Sequence, residues 1–138
     1  MKRPNIIITE ADYAELVRLL EAGAHTPRER EEMDALEAEL ERAEIVSPDE
    51  IPPQVITMNS RAELLDVKTG ERMEFTVVFP RDANIDVGKI SILAPIGTGM
   101  LGHAVGAVFD QPAPTGVRRL KVTHVKYQPE AALAAIDA

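Results

Sequence analysis

The sequence contains no cysteine and no tryptophan, and its aromatic residues amount to three Phe and two Tyr in 138 positions. Without cysteine there is no disulfide, no thiolate-ligated zinc, no iron–sulfur cluster and no thiol nucleophile, a composition that fits a reducing compartment. With so few aromatic side chains, an aromatic-lined ligand pocket is hard to build. Basic excess is missing too: 15 Lys and Arg stand against 23 Asp and Glu, for a formal charge of −8. General nucleic-acid binding draws its affinity from neutralising phosphates, so this balance argues against it. The apolar run Ile6-Ile7-Ile8 near the start is too short for a signal peptide and far below the ~20 residues of a membrane span. The expectation is a cytoplasmic protein with no membrane contact.

What is present is a folded-protein composition, 45% hydrophobic and 28% charged, in a length that suits one compact domain or two small units. Charge divides the chain. Residues 1–50 hold 14 acids against 6 bases, whereas residues 51–138 hold 9 of each. That asymmetry, beside Pro48 and Pro52-Pro53, predicts an acidic unit over 1–50 and a neutral one over 51–138.

The acidic unit reads as two helices. Thr9 offers a hydroxyl to the first free amides, and Tyr13, Leu16, Val17 and Leu20 recur at i, i+3, i+4 and i+7. Gly23 stops the first helix, and Thr26-Pro27-Arg28-Glu29 has capping-box spacing with proline at the first helical position. The second stripe, Met33, Leu36, Leu40 and Ala43, is that of a coiled-coil seam. Taken over about 18 residues, this helix is roughly 27 Å long, and the short turn makes the two antiparallel neighbours. Residues 28–44 carry eight acids and three arginines. Such a face is either a solvated surface or an acidic probe. The one-sidedness favours a probe, because self-repulsion costs stability that a basic partner would restore. Ser47-Pro48-Asp49-Glu50 predicts one more helical turn.

The second unit has the period of strands, at residues 55–58, 62–67, 73–79, 89–93, 107–109 and 120–125, with a turn at 112–116. A short helix around Met100-Leu101 and a closing helix over 129–136 complete it. The fold class is α+β: a short helical hairpin, then a mostly antiparallel sheet with one helix inserted.

Candidate chemistries are few. Gly97-Thr98-Gly99-Met100-Leu101-Gly102 matches a dinucleotide-binding turn, but Gly106 breaks the following helix, and the nearest acid, Asp110, comes eight positions after Gly102, where ~20 is expected. Those glycines read better as permitting tight turns and close packing of a short helix on the sheet. His25, His103 and His124 share no metal-ligand spacing, and Ser60 and Ser91 lack an elbow or a nearby His. No catalytic residue, cofactor or metal site is predicted.

The segments Arg3-Pro4-Asn5-Ile6-Ile7-Ile8, Ser47-Pro48-Asp49-Glu50-Ile51-Pro52, Val55-Ile56-Thr57-Met58-Asn59-Ser60-Arg61, Ile92-Leu93-Ala94-Pro95-Ile96-Gly97, Leu101-Gly102 with Val105-Gly106, and Tyr127-Gln128-Pro129-Glu130-Ala131-Ala132 span nearly the whole chain. In order and spacing they resemble the regulator of nucleoside diphosphate kinase (Rnk) family, related to the Gre transcript-cleavage factors. The resemblance implies an FKBP-like β domain that docks on bacterial RNA polymerase at the secondary-channel entrance, with the hairpin directed into it. The Gre docking turn maps onto Leu93, Ala94, Pro95 and Ile96, with alanine where Gre factors have serine, and Ala107 stands where the family commonly has Asp. The resemblance implies DNA binding only at the level of the family, and no sequence-specific nucleic-acid contact is expected.

The hairpin tip departs from the Gre pattern. Cleavage factors carry an Asp and a Glu on the tip that can hold Mg²⁺ at the polymerase active centre. Here the turn is Gly23-Ala24-His25-Thr26-Pro27, and the flanking acids Glu21 and Glu29 are eight positions apart. The expectation is a monomeric, non-enzymatic polymerase-binding regulator, drawn in by acids such as Glu37, Glu41 and Glu44, that competes with other channel-binding factors. The rival readings are an FKBP-like prolyl isomerase and a direct protein regulator of nucleoside diphosphate kinase.

Overall fold

The computed structural model describes residues 6–114 and 116–137. Residues 3–5 of the first family-like segment, and Thr115 of the 112–116 turn, therefore lie outside the described residues. The chain opens with β1 (Ile7–Thr9), α1 (Glu10–Glu21), α2 (Pro27–Glu41) and β2 (Glu44–Val46), then makes a single 3₁₀ turn at Pro48–Glu50. Both predicted N-caps form: the Thr9 hydroxyl accepts the Asp12 N–H at 3.1 Å, and the Thr26 hydroxyl accepts that of Glu29 at 3.1 Å. The Glu29 carboxylate accepts the His25 N–H at 3.1 Å, one residue before the cap, in place of the Thr26 N–H that a capping box would use.

One element is absent from the sequence reading. β1 and β2 pair in parallel, Ile7 opposite Glu44 and Ile8 opposite Ile45, so the two ends of the helical segment are tied together. This also corrects the extent of the second helix. It stops after 15 residues, about 22 Å, and Glu44 lies in a strand, its N–H donating to the Ile6 carbonyl at 2.8 Å.

The sheet has five strands in the order β5-β4-β3-β7-β6, formed by β3 (Arg61–Asp66), β4 (Arg72–Val78), β5 (Lys89–Ser91), β6 (Val108–Ala113) and β7 (Gly116–Tyr127). Every pairing is antiparallel except β4 with β5. α3 (Pro95–Met100) and α4 (Pro129–Asp137) fill the two helical positions expected. The β6 strand runs through Pro112, beyond its predicted end, because an edge strand needs no donor on its outer side.

Residues 55–58 are not a strand. Their backbone is satisfied locally: Ile56 N–H donates to the His103 carbonyl, Gly102 N–H to that of Ile56, and Thr57 N–H to the Ser60 hydroxyl. Asn59, at φ 67°, then turns the chain into β3. Here a β-rich run is held by a buried loop rather than by a ladder.

Leu16, Met33, Leu36 and Leu40 of the helices belong to the same hydrophobic cluster as Ile56, Leu93, Met100, Leu101, Phe109 and Leu120 of the remainder. Helices of 12 and 15 residues are marginal alone, so their apolar stripes are stabilised by lying on the sheet and α3 as well as on each other. No helix among the described residues is long and apolar enough to cross a membrane.

Candidate docking site

The predicted docking turn is held by its own backbone. After β5, Ile92 N–H donates to the Val78 carbonyl, and the Ser91 hydroxyl accepts the Leu93 N–H at 3.1 Å. Ala94 occupies the N-cap position of α3 with no side-chain cap, and Pro95 follows at the first helical position. Thr98 fastens α3 to this turn by donating its hydroxyl to the Ile92 carbonyl at 2.6 Å. Leu93 is buried, Ala94 and Ile96 are half-buried, and Pro95 is exposed.

The glycines of the GxGxxG run are accounted for by packing. A Cβ on Gly97 would lie 2.2 Å from the Ser91 carbonyl oxygen, and one on Gly99 would lie 2.6 Å from the Phe109 ring. Gly102, at φ +81°, sits where a Cβ would meet Ile6 at 2.6 Å. Close approach of α3 to the sheet and to β1 therefore excludes any side chain at all three positions.

Leu93 and Pro95 line a groove of about 680 Å³ between α2 and the α3–β6 layer. Its floor is completed by Val108, Phe109, Pro112 and His103, its far wall by Ala35, Ala38, Arg28 and the acids Glu31, Glu32 and Glu39, and its outer edge by the Arg119–Asp110 ion pair. His103 is 5% exposed. Its ring stacks on Phe109 with centroids 5.5 Å apart, and its Nδ1 lies 2.6 Å from the Gly99 carbonyl. Burial lowers its pKa, so the imidazole is neutral. Ala94 and Ile96 do not line the groove.

The predicted acids are elsewhere. Glu37 and Glu41 of α2 do not line the groove, although Glu41 follows Ala38 by three residues and lies about 60° from it around the helix. Glu37 lies in a small cleft with Leu20, Gly23, Ala24 and Met33, and Glu44 is on β2. All three are exposed. The structure thus brings the docking turn to α2, but not to Glu37, Glu41 or Glu44. The groove residues His103, Phe109, Ala35 and Ala38 were missed as a set. Their one sequence signal is a pair of small residues at i, i+3 on α2, off its apolar stripe.

A second polar junction joins α1 to the chain's other end. Asp12 Oδ2 accepts the Met58 N–H at 3.0 Å, while Glu130 of α4 accepts the Thr57 hydroxyl at 2.7 Å. Burial pushes the Asp12 carboxyl up to about 6, with the neighbouring Glu130 adding to the rise and the Met58 N–H opposing it. Among the described residues no group of three or more His, Asp or Glu is arranged to hold a metal ion.

Two family models match this architecture: "Rnk N-terminus" over residues 4–46 and "Transcription elongation factor, GreA/GreB, C-term" over residues 51–127. The regulator of nucleoside diphosphate kinase of Escherichia coli (strain K12) is 40% identical over 133 residues, covering 96% of each chain. The chain belongs to the Rnk family. Rnk-type chains are kin to the Gre elongation factors: the GreA of Thermodesulfovibrio yellowstonii is 28% identical, over 93% of this chain and 85% of its own. Among solved structures, a GreA/GreB-type elongation factor from Nitrosomonas europaea superposes with a TM-score of 0.73 at 42% identity, covering 91% of this chain and all of that one. The Rnk-type half ends before the 3₁₀ turn, and the Gre-type half contains the whole five-stranded sheet and the turn at Leu93–Ile96. Family membership identifies a transcription regulator rather than a catalyst in its own right.

Proposed function

We propose that the protein binds bacterial RNA polymerase at the entrance of the secondary channel and excludes other channel-binding factors, without stimulating transcript cleavage. The observation that carries this reading is the contrast between a Gre-type docking half and a hairpin whose tip has lost the Gre chemistry. The connection between α1 and α2, residues 22–26, holds no carboxylate, and the helix leading away from it is only 15 residues long. A Mg²⁺ ion at a remote active centre can be neither ligated nor reached by such a tip.

In this reading Leu93, Ala94, Pro95 and Ile96 form the contact patch. The acids Glu37, Glu41 and Glu44 steer association toward a basic entrance. The division at residue 50 separates the steering unit from the docking unit, the sheet domain is FKBP-like, and the helices form a short coiled coil. The protein acts as a cytoplasmic monomer and makes no sequence-specific contact with nucleic acid.

Binding to purified core polymerase should weaken as salt rises and weaken again in the Glu37→Lys, Glu41→Lys, Glu44→Lys triple variant. Unchanged affinity in that variant removes the steering role. A cleavage assay on stalled elongation complexes should show no stimulation, whereas competition with a cleavage factor should be complete at saturation. The name of the Escherichia coli relative supports a second reading, direct regulation of nucleoside diphosphate kinase. Recovery of that kinase without polymerase in a pull-down would favour it.

A further inference from the structure

We propose that the groove between α2 and the α3–β6 layer seats an apolar segment of the polymerase that carries an N–H or O–H group for His103 Nε2 and basic residues for the acidic rim of α2. The inference rests on the polymerase-binding reading and extends it from the docking turn to a second wall supplied by the amino-terminal helix.

The first support is a buried, unused acceptor. A carbonyl can only accept, so the contact between His103 Nδ1 and the Gly99 oxygen puts the ring proton on Nδ1. Nε2 is left with a lone pair and has no hydrogen-bond partner among the described residues. Nor is it among the buried side-chain atoms sealed away unpaired, which are Gln111 Oε1 and Gln128 Oε1. His103 lines the groove, and in this proposal Nε2 is the acceptor that an arriving donor meets. Stacking on Phe109 holds that acceptor in place, and the absence of a side chain at Gly99 leaves room for the stack. Preorganisation of this kind reduces the cost of ordering on binding.

The second support is the shape and charge of the opposite wall. Ala35 and Ala38 are exposed and small on a helix whose other solvent positions are mostly charged, and their size keeps the groove open. Above them three acids stand against one base on the α2 wall: Glu31 has no ion pair among the described residues, Glu32 has Arg28 at 3.9 Å, and Glu39 is paired with Arg42 at 2.7 Å. The groove volume falls in the ~300–1,000 Å³ span of pockets that bury most of a ligand. Its apolar floor includes Leu93 and Pro95, so it is continuous with the proposed contact patch. An apolar anchor with one donor, flanked by Lys or Arg, satisfies the floor, the imidazole and the rim together.

The test measures binding of the full-length protein to purified core polymerase for wild type, Ala38→Trp, His103→Phe, Pro95→Glu and Ala14→Trp. Ala38→Trp fills the groove from an exposed helix position. His103→Phe keeps an aromatic ring on Phe109 but deletes the acceptor. Ala14→Trp is an exposed α1 control. The expected result is about tenfold or greater weakening for Ala38→Trp and about three- to tenfold for His103→Phe, the range of a lost anchor and a lost hydrogen bond, with Ala14→Trp unchanged. If Pro95→Glu loses binding while Ala38→Trp binds as wild type, the docking turn stands and the groove is overturned. If wild type fails to bind polymerase, the functional reading falls and the proposed occupant falls with it. Should His103→Phe not fold, the exposed Ala38 position still decides the matter.

Discussion

The two halves of the chain handle charge in opposite ways. On the outer face of the sheet, acids and bases neutralise one another in a ladder. Glu63 contacts Arg72 at 2.8 Å, Lys126 at 3.8 Å and His124 at 3.3 Å, and Glu74 contacts Lys126 at 2.5 Å and Arg61 at 3.7 Å. On α2, by contrast, Asp34, Glu37 and Glu41 make no hydrogen bond or ion pair among the described residues. The sheet pairs these charges with one another, whereas along α2 Glu32 and Glu39 have arginine partners and Asp34, Glu37 and Glu41 face outward. The difference teaches that the charge balance of residues 51–138 is expressed in part as cross-strand pairs, and that part of the −8 over residues 1–50 stays unpaired on the outer side of α2.

The comparison breaks most sharply at the joint between the halves. Leu36→Ala removes a side chain with no exposed surface from the shared core and should destabilise the whole protein by roughly 2–5 kcal/mol in denaturant unfolding. If hydrogen exchange instead accelerated only in α1 and α2, the halves would be energetically separate.

Next in size is a pH effect at the α1–α4 junction. The Asp12 carboxyl titrates near 6 in the fold, above its ordinary 3.8, so the folded state binds the proton more tightly than the unfolded one. Its contribution is fully present below about pH 4 and is lost as pH rises through 6, on the order of 2 kcal/mol. Asp12→Asn keeps an acceptor for Met58 and should flatten stability between pH 4 and 7, measured as the urea midpoint at each pH. A wild-type profile already flat in that window would remove the buried charge from the account.

The smallest effects sharpen the contrast of charges. The Glu63 carboxyl is held below its usual range, first by the Thr123 hydroxyl and then by Arg72, so its contribution is present near neutral pH and is lost as pH falls through its folded pKa. Glu63→Gln should lower the melting temperature, by less at acid pH than at pH 7. Glu37→Gln with Glu41→Gln should leave melting unchanged or raise it slightly, because only self-repulsion is removed. Equal losses of stability from the two sets would erase the distinction between paired and outward charge.

Much of this was legible residue by residue. The caps at Thr9 and Thr26 and the apolar stripe of α2 depend on neighbours within four positions, and local spacing encodes them directly. The Gly97, Gly99 and Gly102 run was correctly read as packing, because its context failed a test that sequence can apply. Residues 55–58 were misread since their β-branched content is real, but their partners are His103, Gly102 and Ser60 rather than a strand. Propensity carries no information about such partners. For the turn expected to dock, Leu93–Ile96, the order along the chain could not say that Leu93 and Pro95 reach the groove and that Ala94 and Ile96 do not.

Composition and periodicity by themselves determined an acidic pair of helices ahead of a charge-balanced sheet, since both follow from residue type and short-range repeat. Only the tertiary structure decided that β1 and β2 close the helical segment, that α2 lies along the body, and that Ala35, Ala38, His103 and Pro95 share one groove. Those residues are separated by up to 68 positions. They are brought together by burial of a common core, a property of the whole chain that no local window contains.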